Sequence, residues 1–301
     1  MAKQLASAPK PKRFHLKPAH WGIIFLLPAL VHMLIFKFHP LFNAFYMSFH
    51  EWDLLNPPTW IGLDNYVRLF NDARFHNSVS VSLRYALSTT ACLTVLGLGL
   101  GLMFNKATRG IAVLRAAYFV PSIMSTVVIA IIWRFIFHPS FGLQTFFTEP
   151  LGYFNVRWLT NSRLALPALV IVGVWRHLGY YSLIYLAGFQ AIPEEQYEAA
   201  KIDGARPYQS LLYITLPLLR PTFLFVAIVS VINSFQSFAP AQLMTDGGPA
   251  GSTLVLPLFL YRTAIQNLHM GYGTAIAVIM FLVLMTITLI QLKLFGMGSG
   301  Q

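Results

Sequence analysis

Six long apolar runs follow one another along the chain, separated by short polar segments. They lie near residues 20–45, 79–104, 112–137, 165–190, 218–240 and 273–295. Crossing the roughly 30 Å hydrocarbon core of a bilayer takes roughly 20 helical residues, so each run is long enough to span it once. The runs do not alternate with a period of two, as barrel strands do. The pattern predicts an all-α, polytopic membrane bundle of about six transmembrane helices.

The first run differs from the others because Lys37, His39 and Pro40 interrupt it. It also follows a basic start, which makes the stretch from Trp21 to Phe36 similar to a secretory signal. No small-residue cleavage site follows it, and five more apolar runs come later. We therefore expect a retained first span.

Composition agrees with a lipid environment. Hydrophobic residues make up 56% of the 301 residues and charged residues only 10%, against about 25% charged in an average soluble domain. The formal charge of +11 does not indicate nucleic acid, since no basic stripe with interleaved aromatics occurs. The single cysteine, Cys92, excludes an intramolecular disulfide framework and a Cys-based zinc site.

The distribution of Lys and Arg predicts the orientation. With the N-terminus inside, twelve fall on the cytoplasmic side and eight on the outer side, counting those near the outer ends of spans. The inner set is Lys3, Lys10, Lys12, Arg13, Lys17, Lys106, Arg109, Arg115, Lys201, Arg206, Arg220 and Lys293; the outer set is Arg68, Arg74, Arg157, Arg163, Arg262, Lys37, Arg84 and Arg134. This bias predicts an N-in, C-in topology.

All ten acidic residues lie in the predicted loops. Carriers driven by protons or sodium commonly place Asp or Glu near the membrane midplane, so a secondary carrier or channel is the less favoured alternative. No G-x-x-x-x-G-K-[ST] phosphate loop occurs either. No catalytic cluster and no metal-ligand spacing is present, so we expect neither an enzyme nor a metal site. Without membrane carboxylates or a phosphate loop, the sequence indicates no energy source of its own. It therefore predicts transport that is driven by a partner protein.

A polar segment between the fourth and fifth runs predicts a short cytoplasmic helix. It starts with Pro193, carries acids in its first turn and ends at Gly204, with Pro207 soon after. A helix of about eleven residues is marginal alone in water. Tyr197, Ala200 and Gly204 share one side and would permit close approach to another protein. An ordinary surface helix packed on its own bundle is the alternative.

Within this segment the sequence resembles a known family. Glu198-Ala199-Ala200, Gly204, Ile214 and Leu216-Pro217 match all seven positions of the E-A-A-x3-G-x9-I-x-L-P motif at the correct spacing. That motif is typical of permease subunits of binding-protein-dependent ABC importers. Met244-Thr245-Asp246-Gly247-Gly248-Pro249 resembles the T-x-G-G-P outer loop of the sugar-type branch. The resemblance covers roughly residues 20–295.

The resemblance implies a cytoplasmic coupling helix that inserts into a partner ATPase. The implied ATPase-coupling residues are Glu198, Ala199, Ala200, Asp203, Gly204, Ile214, Leu216 and Pro217. The implied partners are a second permease subunit, two ATPase subunits and an extracytoplasmic solute-binding protein, besides membrane lipid and without nucleic acid. ATP and Mg would be bound by the partner ATPase, with no cofactor in this chain. The implied location is the cytoplasmic (inner) membrane of a bacterium or archaeon.

The fifth run carries uncharged polar residues on one helical face. Ser230, Asn233, Ser234 and Ser237 follow i, i+3, i+4, i+7. Hydroxyls and an amide suit a carbohydrate, whose hydroxyls both donate and accept. Interhelical hydrogen bonding is the alternative, and the resemblance favours a place on the translocation path.

The fourth run adds Arg176, Gly179 and Tyr181 as candidate path residues. A cation near mid-membrane is costly unless it faces water or a partner. Arg176 is therefore expected either to meet an anionic solute or to pair with carbonyls at a helix break. Outside the membrane, Gly247, Gly248 and Pro249 are candidate contacts for the binding protein, with a plain tight turn as the alternative.

These inferences divide the chain into a basic cytoplasmic N-terminus (1–19), a transmembrane permease domain (20–295) with a coupling loop (191–217), and a cytoplasmic tail (296–301). The expected function is the transmembrane subunit of an ATP-driven importer for a carbohydrate or related polyol. The sequence leaves open which solute is carried and whether it is charged. It also leaves open whether the permease pair is a hetero- or a homodimer.

Overall fold

The computed structural model describes residues 18–106 and 110–294, most of them helical. Most of the predicted N-terminal segment, Arg109 and the whole predicted tail therefore lie outside the described residues. The described chain divides into two compact units on either side of the Tyr46–Met47 bond.

The described part of the first unit consists of helix α1 (Pro18–Met33), a π-helical turn (Leu34–Phe38) and helix α2 (His39–Met47) up to Tyr46. The π-helical turn occupies the place where polar residues interrupt the first apolar run. The His39 N–H bonds the Leu34 carbonyl there, so the helix widens by one residue and continues. The stretch Phe25–Met47 is long and apolar enough to cross a membrane.

The second unit begins with a short hairpin and continues as helices. Its elements are β1 (His50–Glu51), β2 (Thr59–Trp60), α3 (Asp64–Asn71), α4 (Ala73–Phe104), α5 (Ile111–Ile123), α6 (Thr126–Ile136), α7 (Gln144–Thr148), a 3-10 turn (Glu149–Leu151), α8 (Ala165–Gln190), α9 (Glu194–Ile202), α10 (Pro207–Ser210), a π-helical turn (Leu211–Thr215), α11 (Leu216–Leu218), α12 (Arg220–Phe235), a π-helical turn (Ala241–Thr245), α13 (Leu256–Tyr261), a π-helical turn (Arg262–Gln266) and α14 (Met270–Leu294).

Among the described residues, four helical stretches are long and apolar enough to span a membrane, and two bent helix pairs bring the total to six. The long stretches are Phe25–Met47, α4, α8 and α14. The pairs are α5 with α6, bent by 103°, and Pro207–Leu218 with α12, bent by 62°. The six predicted runs correspond to these six stretches.

The third predicted span, 112–137, is not one continuous helix. α5 ends at Ile123, and Met124 and Ser125 take extended backbone angles (ψ 150° and 131°) before α6 begins at Thr126. Pro121 lies in the last turn of α5 and has no N–H to donate, which weakens the helix at this point. The apolar run continues through the break, so hydrophobicity alone did not indicate it.

The core of the second unit lies where α4 packs against α8 and α12. Gly97 and Gly101 of α4 form a G-x-x-x-G pattern and face α8 within the chain. A Cβ atom added at Gly101 would lie 2.9 Å from Tyr185 Cβ and 3.1 Å from the Ser182 carbonyl oxygen. Small residues therefore allow the backbones of α4 and α8 to approach closely at this crossing.

Candidate functional site

The predicted cytoplasmic helix is α9, which spans nine residues rather than about eleven. Pro193 precedes it with an extended backbone (ψ 135°), so it caps the helix instead of occupying its first turn. Glu194 and Glu195 lie in the first turn and Lys201 in the last. These charges complement the helix dipole at both ends. They help to stabilise α9, because a helix of nine residues is too short to be stable alone in water.

Gly204 ends α9 in a Schellman motif. Its φ is +76°, the Gly204 N–H bonds the Lys201 carbonyl (3.1 Å), and the Ala205 N–H bonds the Ala200 carbonyl (2.9 Å). Glycine adopts this left-handed conformation without steric cost. A Cβ atom added at Gly204 would meet nothing within 4 Å. The tight turn predicted for Gly204 is confirmed, and the space above it is open.

The face of α9 that meets the rest of the chain is the predicted docking side itself. The Tyr197 hydroxyl bonds Thr215 Oγ1 at 2.9 Å, and Ala200 is only 8% exposed. The stripe of Tyr197 and Ala200 therefore packs on the chain itself, and an ordinary packing contact explains it. For these two residues the structure supports the alternative of a helix packed on its own bundle, and the coupling role of Ala200 stays a prediction.

The opposite face of α9 is free. Glu195, Glu198 and Ala199 are exposed, and Ile202 is 86% exposed. They follow i, i+3, i+4, i+7 and so form one side of the helix. Ile202 was not among the coupling residues predicted from the sequence. An aliphatic residue four positions after Glu198, on a face of otherwise polar or small residues, could have indicated it. Glu198, Ala199, Ile202, Asp203 and Gly204 are the surface that a partner can reach.

The last part of the motif lies where the chain re-enters the bundle. Ile214 and Leu216 are half-buried, and Pro217 is exposed within α11. Thr215, between Ile214 and Leu216, is buried, and its hydroxyl forms a hydrogen bond with the Tyr197 hydroxyl of α9. The motif therefore connects the free face of α9 to the bent segment before α12.

The polar face of α12 divides into two pairs. Ser230 and Ser234 are buried, and Ser230 Oγ bonds the Ala227 carbonyl of its own helix. Asn233 is exposed, and its amide donates to the Tyr181 hydroxyl at 3.2 Å. Packing accounts for the two buried serines, whereas Asn233 retains an amide oxygen that a solute can reach.

Tyr85 on α4 extends the polar group and was missed from the sequence. Ser237 Oγ donates to the Tyr85 hydroxyl over a long 3.5 Å. Ser82, Tyr85 and Thr89 are spaced i, i+3, i+7 on α4 and are all buried. This spacing within an otherwise apolar run could have indicated a polar face on α4.

Arg176 contacts the break between α5 and α6. Its guanidinium donates to Thr126 Oγ1 and, over 3.4 Å, to the Met124 carbonyl. These contacts support the carbonyl-pairing interpretation, because the extended residues at the break leave backbone groups without helical partners. Gly179, one turn further along α8, lies against α5: an added Cβ would lie 2.0 Å from the Tyr118 carbonyl oxygen. Arg176 therefore binds α8 to the break between α5 and α6, and Gly179 allows α8 to pack closely on α5.

Arg176→Leu is expected to lower the thermal stability of the chain in detergent. The substitution leaves the Thr126 hydroxyl and the Met124 carbonyl without their donor, at a cost of about 1–3 kcal/mol. Thermal unfolding followed by intrinsic fluorescence measures the effect. Arg84→Leu is the control, since that guanidinium bonds only Ser80 of its own helix among the contacts that the structure gives it. An unchanged melting temperature with a substrate-specific loss of transport would instead place the Arg176 guanidinium on the solute.

The outer loop that holds Gly247, Gly248 and Pro249 forms a compact turn. Asp246 and Gly247 have positive φ (47° and 70°), and Gly247 is buried while the other two are half-buried. Arg262 pairs with the Asp246 carboxylate at 2.7 Å and also bonds its carbonyl. The tight-turn alternative describes this backbone, and the exposed residues that flank it are Asp246 and Ala250.

Two segments on the predicted outer side, 47–78 and 241–272, contact each other. Gly271 N–H bonds the Trp52 carbonyl, and Asn77 donates to the Gly251 carbonyl at 2.8 Å. Burial raises the pKa of the Asp72 carboxyl, but hydrogen bonds from the Arg74 N–H and the Tyr272 hydroxyl outweigh it and lower that pKa overall. A charged Asp72 therefore holds the start of α4 to α14.

A family model described as "Binding-protein-dependent transport system inner membrane component" matches residues 94–297. The chain belongs to this family. It is therefore a multi-pass inner-membrane permease that works with a solute-binding protein, and the sequence-based recognition of an importer permease is confirmed.

Two curated relatives match this permease over nearly its whole length. The probable starch degradation products transport system permease protein AmyD of Thermoanaerobacterium thermosulfurigenes is 33% identical, over 95% of this chain and 97% of that protein. The trehalose/maltose transport system permease protein MalF of Thermococcus litoralis is also 33% identical, over 92% of this chain and 94% of that protein.

A solved structure shares the fold of the permease. The crystal structure of a bacterial ABC transporter involved in the import of the acidic polysaccharide alginate matches with a TM-score of 0.81 at 24% identity, covering 92% of this chain and 96% of the matched chain. The predicted helical permease architecture is thereby confirmed.

Proposed function

We propose that this permease imports a carbohydrate or related polyol across the cytoplasmic membrane of a bacterium or archaeon, driven by ATP hydrolysis in partner subunits. The observation that carries the proposal is the polar group formed by Asn233, Tyr181, Ser237 and Tyr85. It consists of an amide and hydroxyls without a carboxylate, which matches the paired donors and acceptors of a sugar. The names of the relatives, for starch products and for trehalose or maltose, support the same substrate class.

The energy source is proposed to be a pair of ATPase subunits that dock on the free face of α9. Ile202 offers an isolated apolar side chain on a charged, water-facing helix, the kind of residue that gains most from burial in a partner's groove. Glu198 and Asp203 flank it and would determine the register of the contact. A second permease completes the translocation path, and ATP and Mg belong to the ATPases.

The test is uptake of radiolabelled maltose and malto-oligosaccharides by proteoliposomes that contain the assembled transporter and its binding protein. We expect Asn233→Leu to raise the KM for binding-protein-delivered sugar about tenfold, because a sugar hydroxyl loses a partner worth about 1–3 kcal/mol. Ser230→Ala is the matched control on the same helix, since Ser230 is buried and, among the described residues, its hydroxyl bonds the Ala227 carbonyl of α12.

Two outcomes would contradict the proposal. Uptake without ATP would identify a secondary carrier, which is the alternative that the lack of membrane carboxylates disfavours. An unchanged KM for Asn233→Leu, together with normal uptake, would remove the polar group of α12 from the path while leaving the importer assignment intact.

A further inference from the structure

A cavity of about 540 Å³ lies where the end of α6 meets the segment that follows α12. Residues between 134 and 139 and between 157 and 160 form one part of its wall, and residues 242–246 form the other. In the N-in topology both parts lie on the outer side, because they connect the outer ends of spans. None of the polar group proposed to contact the sugar lines this cavity, so the two are separate.

The charges in the wall of this cavity are mostly positive. Arg134, in the last turn of α6, and Arg157 both line it and are exposed. Asp246 lines it too, but its carboxylate pairs with Arg262 at 2.7 Å. No other acidic residue of the described chain belongs to the wall. The pair of Asp246 and Arg262 cancels, so Arg134 and Arg157 leave an excess of two positive charges.

Most hydrogen-bond donors of these side chains are unused within the chain. The Arg134 guanidinium donates to the Leu243 carbonyl at 3.3 Å, which uses one of its five N–H groups. The Arg157 guanidinium has no hydrogen bond or ion pair with any residue that the structure describes. The His138 Nδ1 accepts from the Ser140 N–H at 3.3 Å, so the neutral ring carries its hydrogen on Nε2 and adds a donor. Because both arginines are exposed, a partner can reach their donors.

An anion with paired oxygens fits this set of donors. A guanidinium binds a carboxylate through two parallel N–H···O bonds, and such charged bonds are about twice as strong as neutral ones. Phe137 and Trp158 belong to the same wall and exclude part of the water, which strengthens the attraction between opposite charges. The cavity is therefore suited to a carboxylate.

The family of the chain indicates which carboxylate arrives on the outer side. A binding-protein-dependent permease works with a solute-binding protein, and that protein approaches from outside. The cavity adjoins the turn of Gly247, Gly248 and Pro249, the candidate contact for this partner, because Asp246 directly precedes that turn and lines the cavity. Complementary charges orient two proteins as they meet. An acidic side chain on the solute-binding protein would supply the complement here.

We propose that this cavity receives an acidic side chain of the solute-binding protein when the two proteins dock. The carboxylate binds the Arg157 guanidinium and is held between it and Arg134. This inference rests on the family of the chain and not on the proposed sugar, so it stands if the carried solute is a different one.

Arg157→Lys tests the occupant directly, because it places a primary amine in the cavity and keeps the positive charge. A carbodiimide couples such an amine to a carboxylate that touches it, and takes up the water that is lost. We use the assembled transporter in nanodiscs with the solute-binding protein that stimulates its ATP hydrolysis. The expected product is an amide bond from the introduced amine to an Asp or Glu of the binding protein, identified by mass spectrometry. Arg163→Lys is the matched control, since Arg163 is exposed in the same outer segment but does not line the cavity.

Arg157→Glu tests the charge of the cavity. We expect the Kd of the fluorescently labelled binding protein for the transporter in nanodiscs to rise at least about tenfold at about 50 mM salt, equivalent to about 1.4 kcal/mol. The increase should shrink at about 0.5 M salt, because salt screens the attraction between exposed charges. Arg163→Glu changes the net charge equally and should raise the Kd much less.

Four results would overturn the proposal. The first is a Kd for Arg157→Glu equal to that for Arg163→Glu, and the second is no more cross-linking from Arg157→Lys than from Arg163→Lys. A cross-link to the second permease would assign the cavity to a subunit interface instead. An effect of Arg157→Glu that appears only in nanodiscs with phosphatidylglycerol would assign the cavity to a lipid phosphate.

Discussion

Gly204→Asp is expected to leave the permease folded and inserted in the membrane while substrate-stimulated ATP hydrolysis by the assembled transporter falls at least about tenfold. A Cβ atom added at Gly204 meets nothing within 4 Å among the described residues, so we expect the obstruction to act on the partner. Aspartate visits the left-handed region more readily than most residues, so the local backbone cost is about 1 kcal/mol. ATPase activity of proteoliposomes, with and without sugar-loaded binding protein, measures the effect.

Gly152→Asp is the matched control for this prediction. Gly152 also has a left-handed backbone (φ +81°), and an added Cβ there also meets nothing within 4 Å. It lies in the outer segment after the 3-10 turn, away from α9. It therefore carries the same backbone cost without touching the coupling surface. Equal ATPase activity in Gly204→Asp and Gly152→Asp would show that α9 does not carry the docking contact.

Gly179→Ala is expected to destabilise the permease strongly, although alanine is ordinarily better than glycine in a helix by about 1 kcal/mol. The new methyl carbon would lie 2.0 Å from the Tyr118 carbonyl oxygen and 2.3 Å from its carbon, both backbone atoms of α5. The helices must separate, and such overpacking costs about 1–3 kcal/mol or more. The expected result is a lower melting temperature in detergent and less protein in the membrane.

Gly99→Ala, on α4, separates this packing effect from helix propensity. An alanine Cβ at Gly99 meets nothing within 4 Å, so that variant should be neutral or slightly more stable. A melting temperature of Gly179→Ala equal to that of Gly99→Ala would mean that α5 and α8 do not approach as closely as the structure shows.

The sequence predicted those helices and turns well whose formation depends on residues close together in the chain. The long apolar runs identified α4, α8 and α14, and the glycine at the end of the cytoplasmic helix identified its Schellman turn. The 103° break after Ile123 was missed because the uncharged Ser122, Ser125 and Thr126 are too few and too weakly polar to end the apolar run. That break depends on Pro121 and on the distant Arg176, which satisfies backbone and side-chain groups at the bend.

The orientation of side chains was the less predictable part of the candidate site. The periodicity of α9 groups Tyr197 with Ala200, but it does not say which side of the helix meets the protein. The contact of Tyr197 with Thr215 decides this, and it joins residues 18 positions apart. Tyr85 was missed for a similar reason, since its partner Ser237 is 152 positions away.

The hydrogen bond between Tyr197 and Thr215 has a mechanical consequence. It joins α9 to the segment that bends by 62° into α12, so a displacement of α9 is passed to that segment through this contact. Asn233 lies on α12 about 20 Å beyond Leu219 at 1.5 Å per residue, so one continuous helix connects this segment to Asn233. In the proposed importer, this connection would link docking of the ATPase on α9 to the release of the sugar near Asn233.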